Sequence, residues 1–336
     1  MPGTQIFTLL QTAREVTAGT AVAATRQWYP DGTGVINIDS MLAEHGGNRG
    51  VYNPLAYHTS QGVGVTLNYK SLQEMGVAWD ELVFPLNQAG GGLTGSGASA
   101  DKTWTWAAGG TAAMTPKTFT IEAGDDTQFF QFEYGMMSDF TLSASKDNLT
   151  QLEANYFARQ STKVTKTTLT PNTALRIPGL LWKPRFATAQ SGLAGASDQS
   201  NLLVDWSWKV TTGLVPRKYQ DGLTYFGQHA QTAISGEINL TVESTAVAVS
   251  QFYDKWNVGG TPTLDFIQLK ATGPTLGTTA YSATLQAAVN YTNVQPIGSE
   301  DNGVNLYSVT ARTVYDSTWG QSMGGTIVCS IAALTA

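Results

Sequence analysis

The sequence predicts an all-β fold with minor α content, arranged as two tandem β-sandwich or barrel modules, each with one flanking helix. Three observations predict it. Short runs alternate apolar and polar residues along most of the chain, turn formers are plentiful while charge is sparse, and one order of strand, helix and strands occurs in each half. Charged residues make up 13% of the chain against an apolar share of 42%, and Gly numbers 35. That mix suits strands joined by tight turns. A length of 336 residues accommodates two modules, 1–165 and 166–336, each large enough for a core of its own. A shared order of periodic signals with faint sequence identity is what an old duplication leaves.

In the first half the alternating run Val63 to Tyr69 reads as a strand. Ser71 and Glu74 have capping-box spacing, and Leu72, Met75, Trp79, Leu82 and Val83 fall on one stripe, which predicts a helix from Leu72 to Val83. A Gly-rich, weakly charged insertion, Gln88 to Gly110, carries Trp104 and Trp106. Those rings either cover the module's own sheet or contact a neighbouring subunit. Strands then run from Thr118 to Arg159. Phe130, Phe132 and Tyr134 share one face opposite Phe129, Gln131 and Glu133, and Phe140, Leu142 and Ala144 continue the alternation. Lys146-Asp147-Asn148 turns the chain into Leu152, Ala154, Tyr156 and Ala158. Gln160 to Pro178 reads as the connection between modules, and Ala187 to Asn201 as a long hairpin tip.

The second half repeats the order. Gly236 to Glu243 is a strand, Ser244 caps a helix from Thr245 to Trp256, and Val249, Phe252, Tyr253 and Trp256 form its apolar stripe. Only Gly259-Gly260-Thr261-Pro262 replaces the long insertion. Tyr281, Ala283, Leu285, Ala287, Val289 and Tyr291 alternate with polar residues, Ser299 to Gly303 turns, and Val304 to Asp316 runs back.

Chemistry is thin in this sequence. With 19 basic and 25 acidic residues the net charge is −6, so general affinity for nucleic acid is not expected. One cysteine, Cys329, and scattered His45, His58 and His229 give neither a disulfide nor zinc-ligand spacing. Gly95-Ser96-Gly97 is not a nucleophile elbow, and the adjacent carboxylates of Asp125-Asp126 diverge on a turn. The expectation is a protein that is not an enzyme and needs no cofactor or metal. No window approaches ~18 uninterrupted apolar residues, and the first residues lack the basic-then-apolar pattern of a signal peptide, so synthesis in the cytoplasm is expected.

The stretch Thr118 to Tyr134, with Ser138 to Ser145 and Ala154 to Arg159, resembles the major tail tube proteins of long-tailed bacteriophages. Gly213 to Gly222 and Ser235 to Val242 look like the second half of the two-module members. The resemblance implies tail-tube β-sandwich modules, four strands of each joining a barrel around a channel. It implies rings, here three chains in a pseudo-hexamer, stacked into a virion tail tube. The partners it implies are further copies of the chain, the tape measure protein, the tail terminator and the distal tail or baseplate proteins. Double-stranded DNA would pass transiently through the channel. Candidate lumen-facing acids are Glu133, Asp139, Glu153, Glu237 and Glu243, and candidate inter-subunit contacts are Trp104 and Trp106. Two other readings compete: a secreted β-sandwich that binds carbohydrate on its aromatic residues, and an outer-membrane barrel, which the missing aromatic girdles disfavour.

Overall fold

The computed structural model describes residues 9–28, 36–38, 41–45, 55–60, 65–70, 76–89, 92–97, 101–125, 128–170, 175–223, 225–256, 263–332 and 334, with the backbone alone for the strands between 36 and 70. Strands dominate. In the first half β1 (Leu9–Arg14), β2 (Arg26–Trp28), β3 (Ile36–Ile38), β4 (Met41–His45), β5 (Leu55–Ser60) and β6 (Val65–Lys70) precede the helix α1 (Val83–Ala89). A short hairpin, β7 (Thr94–Ser96) and β8 (Lys102–Ala108), follows; then come β9 (Phe119–Gly124), β10 (Phe129–Ser145), β11 (Gln151–Ala158) and β12 (Gln160–Lys163). The second half holds β13 (Trp182–Ala187), β14 (Leu203–Thr211), the hairpin β15 (Leu214–Arg217) and β16 (Gln228–Gln231), and β17 (Ser235–Glu243). A helical run over 246–256 leads to β18 (Asp265–Leu276), β19 (Thr279–Asp301), β20 (Val304–Thr313) and β21 (Met323–Cys329). Among the described residues no helix is long and apolar enough to cross a membrane.

Among the described residues every strand pairing is antiparallel. Neighbours in the first half run β1, β9, β10, β11, β6, β3. In the second they run β13, β18, β19, β20, β17, β14. In chain order a separate two-stranded hairpin follows β3 in one half and β14 in the other. The final strand of each half, β12 or β21, adds to the second edge of the long strand. Both long strands carry successive ladders along their length, which is why they are long: β10 pairs first with β9 and then with β11, as β19 does with β18 and β20.

The halves share one sheet and one core. β14 pairs with the end of β10, from Asp139↔Thr211 to Ser145↔Asp205, and β21 pairs with β8. Trp106 meets Trp208 edge-on at 6.5 Å, and Trp79 stacks on Tyr281 at 5.9 Å. A boundary at 165/166 therefore falls between strands, with no break in the apolar interior. Followed strand to strand among the described residues, the pairings form no closed circuit but a branching sheet with β3 at one end.

Several elements differ from the sequence reading. Of the stretch Leu72 to Val83, residues 71–75, with Ser71, Leu72, Glu74 and Met75, lie outside the described residues. Beyond them Gly76 has φ +54°, and a Cβ there would lie 2.6 Å from Leu149 Cβ, so no helix passes through it. Helix α1 begins only at Val83, with Pro85 in its first turn, where a missing N–H is tolerated. Trp79 and Leu82 are buried as expected, but on an irregular segment. In the second half the cap is Thr245 rather than Ser244, its Oγ1 accepting from the Ala248 N–H at 3.2 Å, and a π-turn over Val249–Tyr253 widens the run. Ala187 to Asn201 is no hairpin tip, because β13 pairs with β18 and not with β14. In β10 Phe130 and Phe132 share a face as expected, their rings stacked at 6.4 Å, but Phe129 opposite them is buried too, and a register break between Phe132 and Gly135 puts Tyr134 at φ +56° and into a separate cluster with Met136 and Phe157.

Candidate functional site

Four strands from each half make one continuous antiparallel sheet, in the order β3, β6, β11, β10, β14, β17, β20, β19. Strict alternation gives it two unlike faces. One is core, with Phe140, Leu142, Leu152, Trp206, Trp208, Ile238, Leu240, Val309 and Ala311 all buried. The other presents Asp139, Thr141 and Ser143 of β10, Glu153 and Asn155 of β11, and Asp205, Ser207 and Lys209 of β14. It continues through Glu237, Asn239, Thr241 and Glu243 of β17 to Ser308, Thr310 and Arg312 of β20.

Short hydrogen bonds tie this polar face together. Thr310 Oγ1 donates to Asn239 Oδ1 at 2.8 Å, and Asn155 Nδ2 donates to Asp139 Oδ1 at 2.8 Å. Charge is arranged across strands. Lys209 stands in register with Glu237, which stands in register with Arg312, so one carboxylate sits between two cations. Asp205 pairs in register with Ser145 and Thr241, and Lys70 holds the register position across from Glu153. Among the described side chains the face carries Asp139, Glu153, Asp205, Glu237 and Glu243 against Lys209 and Arg312. Its balance is acidic.

Of the sequence-derived lumen candidates, the sheet brings Asp139, Glu153, Glu237 and Glu243 onto one face and leaves Glu133 off it. Glu133 lies on the first part of β10, where its Oε1 accepts from Arg159 Nη2 at 2.7 Å and from Arg159 Nε at 3.0 Å. That pair is mostly shielded, and the same guanidinium donates to the Gly19 carbonyl at 3.2 Å. Glu133 is a tie between elements. Asp205, Lys209 and Arg312 were missed, although the run Asp205-Trp206-Ser207-Trp208-Lys209 alternates plainly enough to have shown two of them.

The inter-subunit candidates stand elsewhere. Trp104 and Trp106, 5% and 2% exposed, point into the chain's own core from β8, whose partner is β21. Their rings are used up at home: Trp106 against Trp208, and Trp104 donating its Nε1–H to the Ile331 carbonyl at 3.0 Å. The Gly-rich insertion is thus a strand hairpin that seals the interior. Of the aromatic residues that could stack on a sugar, Trp28, Trp79, Trp104, Trp106, Trp182, Trp206 and Trp208 are buried, while Trp256, Tyr219 and Tyr315 are exposed.

Among the described residues Cys329, His229 and Asp265 are reactive groups held inside the fold. Burial pushes the Cys329 thiol up to about 12, which makes it a poor nucleophile. His229 Nδ1 lies 3.1 Å from the Tyr134 hydroxyl, and burial lowers its pKa. Asp265 is wholly buried, with its Oδ2 accepting from Tyr291 at 2.7 Å and from Lys255 at 2.9 Å. A surface groove of about 640 Å³ runs along the sheet rim beside Lys146, Leu203, Glu243 and Asp301 and gathers no acid–base pair with a third group to orient it. No protein-family model and no curated protein sequence matches the chain.

Proposed function

We propose that this chain is a structural protein that assembles into the tail tube of a long-tailed bacteriophage. The observation that carries the proposal is the eight-stranded sheet in which each half contributes four strands in matching order, joined edge to edge at β10 and β14. A sheet that already joins two similar units by strand pairing can join further copies in the same way. Closing the circle removes the exposed edges, which are otherwise an aggregation hazard. In this reading the halves are two tandem tail-tube modules. Three chains form a pseudo-hexameric ring, and rings stack into a tube with the polar face of the sheet toward the channel.

An uncharged-to-acidic wall suits a channel through which DNA must slide. Basic walls would bind phosphate and release counterions, so passage would stall. The tape measure protein, tail terminator and distal tail proteins are the partners such a tube requires. The test is negative-stain microscopy of the purified chain together with mass measurement of solubilised rings. Rings or hollow filaments of three chains are expected. A chain that stays monomeric at every concentration overturns the proposal, and a six-chain ring overturns the two-module geometry.

A further inference from the structure

We infer that one copy of the chain binds the next through the outer edge of β19, between Asn290 and Asp301, which pairs antiparallel with β3 of the neighbour. The inference rests on the ring reading above and names its interface. Its template is inside the chain. There, β14 lies along the outer edge of β10 from Asp139↔Thr211 to Ser145↔Asp205, and the hairpin that follows β14 folds back over the first half. That hairpin segment buries Leu214 and Phe226 against Tyr134, Met136 and Phe157, with Phe226 edge-on to Tyr134 at 5.6 Å.

The same parts recur at the two ends of the eight-stranded sheet, where no further described strand pairs with them. β3 occupies in the first half the place that β14 occupies in the second, is followed by its own hairpin, β4–β5, and among the described residues pairs only with β6. β19 matches β10, yet beyond Val289 it pairs, among the described residues, only with β20. Its surface there is bare: Ile297 is 76% exposed, a large apolar side chain in water on a strand edge. A second copy offering β3 and the β4–β5 hairpin repeats the internal junction and covers Ile297. Pro296 supplies no N–H, so the new ladder is interrupted at that residue.

The experiment uses the full chain. Two single variants, Asn37→Cys in β3 and Gln295→Cys in β19, are prepared separately, mixed, assembled and treated with a short bis-maleimide. A cross-linked pair is expected from the mixture and from neither variant alone. Hydrogen exchange on the unmodified chain covers the case in which a variant folds poorly. Amides within 290–301 are expected to exchange more slowly in rings than in dissociated chain, by about tenfold or more. Rings that form without the cross-link, or with unchanged exchange over 290–301, overturn this interface and leave the tube reading standing. Absence of rings in the same sample, seen by microscopy, overturns the tube reading and this interface with it.

Discussion

At the scale of single residues the most instructive group is Asp265, fully buried at the foot of β18 and held by Lys255, Tyr291 and Gln251. Burial and the adjacent carboxylate both push the Tyr291 hydroxyl well above its usual range, so it stays protonated and donates. Lys255, whose side chain is 22% exposed, can reach water if the pair is broken; Asp265 cannot. Lys255→Met therefore strands a buried carboxylate and is expected to cost about 3 kcal/mol in denaturant unfolding of the dissociated chain. A loss below about 1 kcal/mol would show that Tyr291 and Gln251 alone satisfy the charge. His229 makes a separate prediction for pH. Its folded pKa is lowered by burial, so the unfolded chain takes up the proton first as pH falls through the ordinary histidine range, and stability drops there. Unfolding midpoints measured between pH 7.5 and 5.5 should fall, and His229→Gln should flatten that part of the slope.

At the scale of elements, β21 shows how one close approach holds two halves together. A Cβ at Gly325 would lie 2.0 Å from the Thr284 carbonyl oxygen of β19, a backbone atom that cannot move aside without breaking the ladder. Gly325→Ala is expected to cost about 2 kcal/mol. It should also loosen β8, which pairs with β21 and carries Trp104 and Trp106, so near-ultraviolet circular dichroism should weaken along with the midpoint. Which elements were legible in the sequence follows from the same local physics. Strands with strict alternation, such as Gly236 to Glu243 and Tyr281 to Tyr291, read correctly because one face is core and the other water. The first helix misread because its apolar spacing also describes a buried irregular segment, and the positive φ of Gly76 leaves no trace in a hydrophobic stripe. Of the two readings of Trp104 and Trp106, the structure fits the one in which they cover the chain's own sheet; the Gly-rich flanks suggested a loop, whereas Lys102–Ala108 alternates buried and exposed positions as a strand. Four of the five acidic candidates share one face because period two fixes the side of a strand once its partners are known. Glu133 fell off that face because the register break at Tyr134, which separates the two ladders of β10, is a tertiary event.

At the scale of the whole molecule, the proposed tube would make the polar face the wall that DNA meets. Among the described side chains Asp139, Glu153, Asp205, Glu237 and Glu243 outnumber Lys209 and Arg312 there, and in the proposed tube repetition around each ring would multiply this small imbalance into an extended acidic wall. Reversing that balance tests the channel role, provided the sheet survives. Glu237 should stay, since it separates Lys209 from Arg312 and its replacement by Lys would set three cations in a row across adjacent strands. Glu133 should stay as well, because it anchors Arg159. Asp205→Lys, Glu243→Lys and Glu153→Gln together avoid both problems: Asp205 faces Ser145 and Thr241 in register, and the change at Glu153 adds no charge beside the Lys70 position. The triple variant leaves Asp139 and Glu237 against four cations. Tubes should still form, as microscopy would confirm, while DNA ejection slows by about tenfold or more at low salt, because each new cation facing a phosphate traps it with the release of a counterion. Raising the salt should restore much of the rate, which separates electrostatic trapping from a mechanical defect in the wall. Normal ejection at low salt through tubes of this variant would mean that the polar face lies outside the channel, and the inward orientation would have to be abandoned.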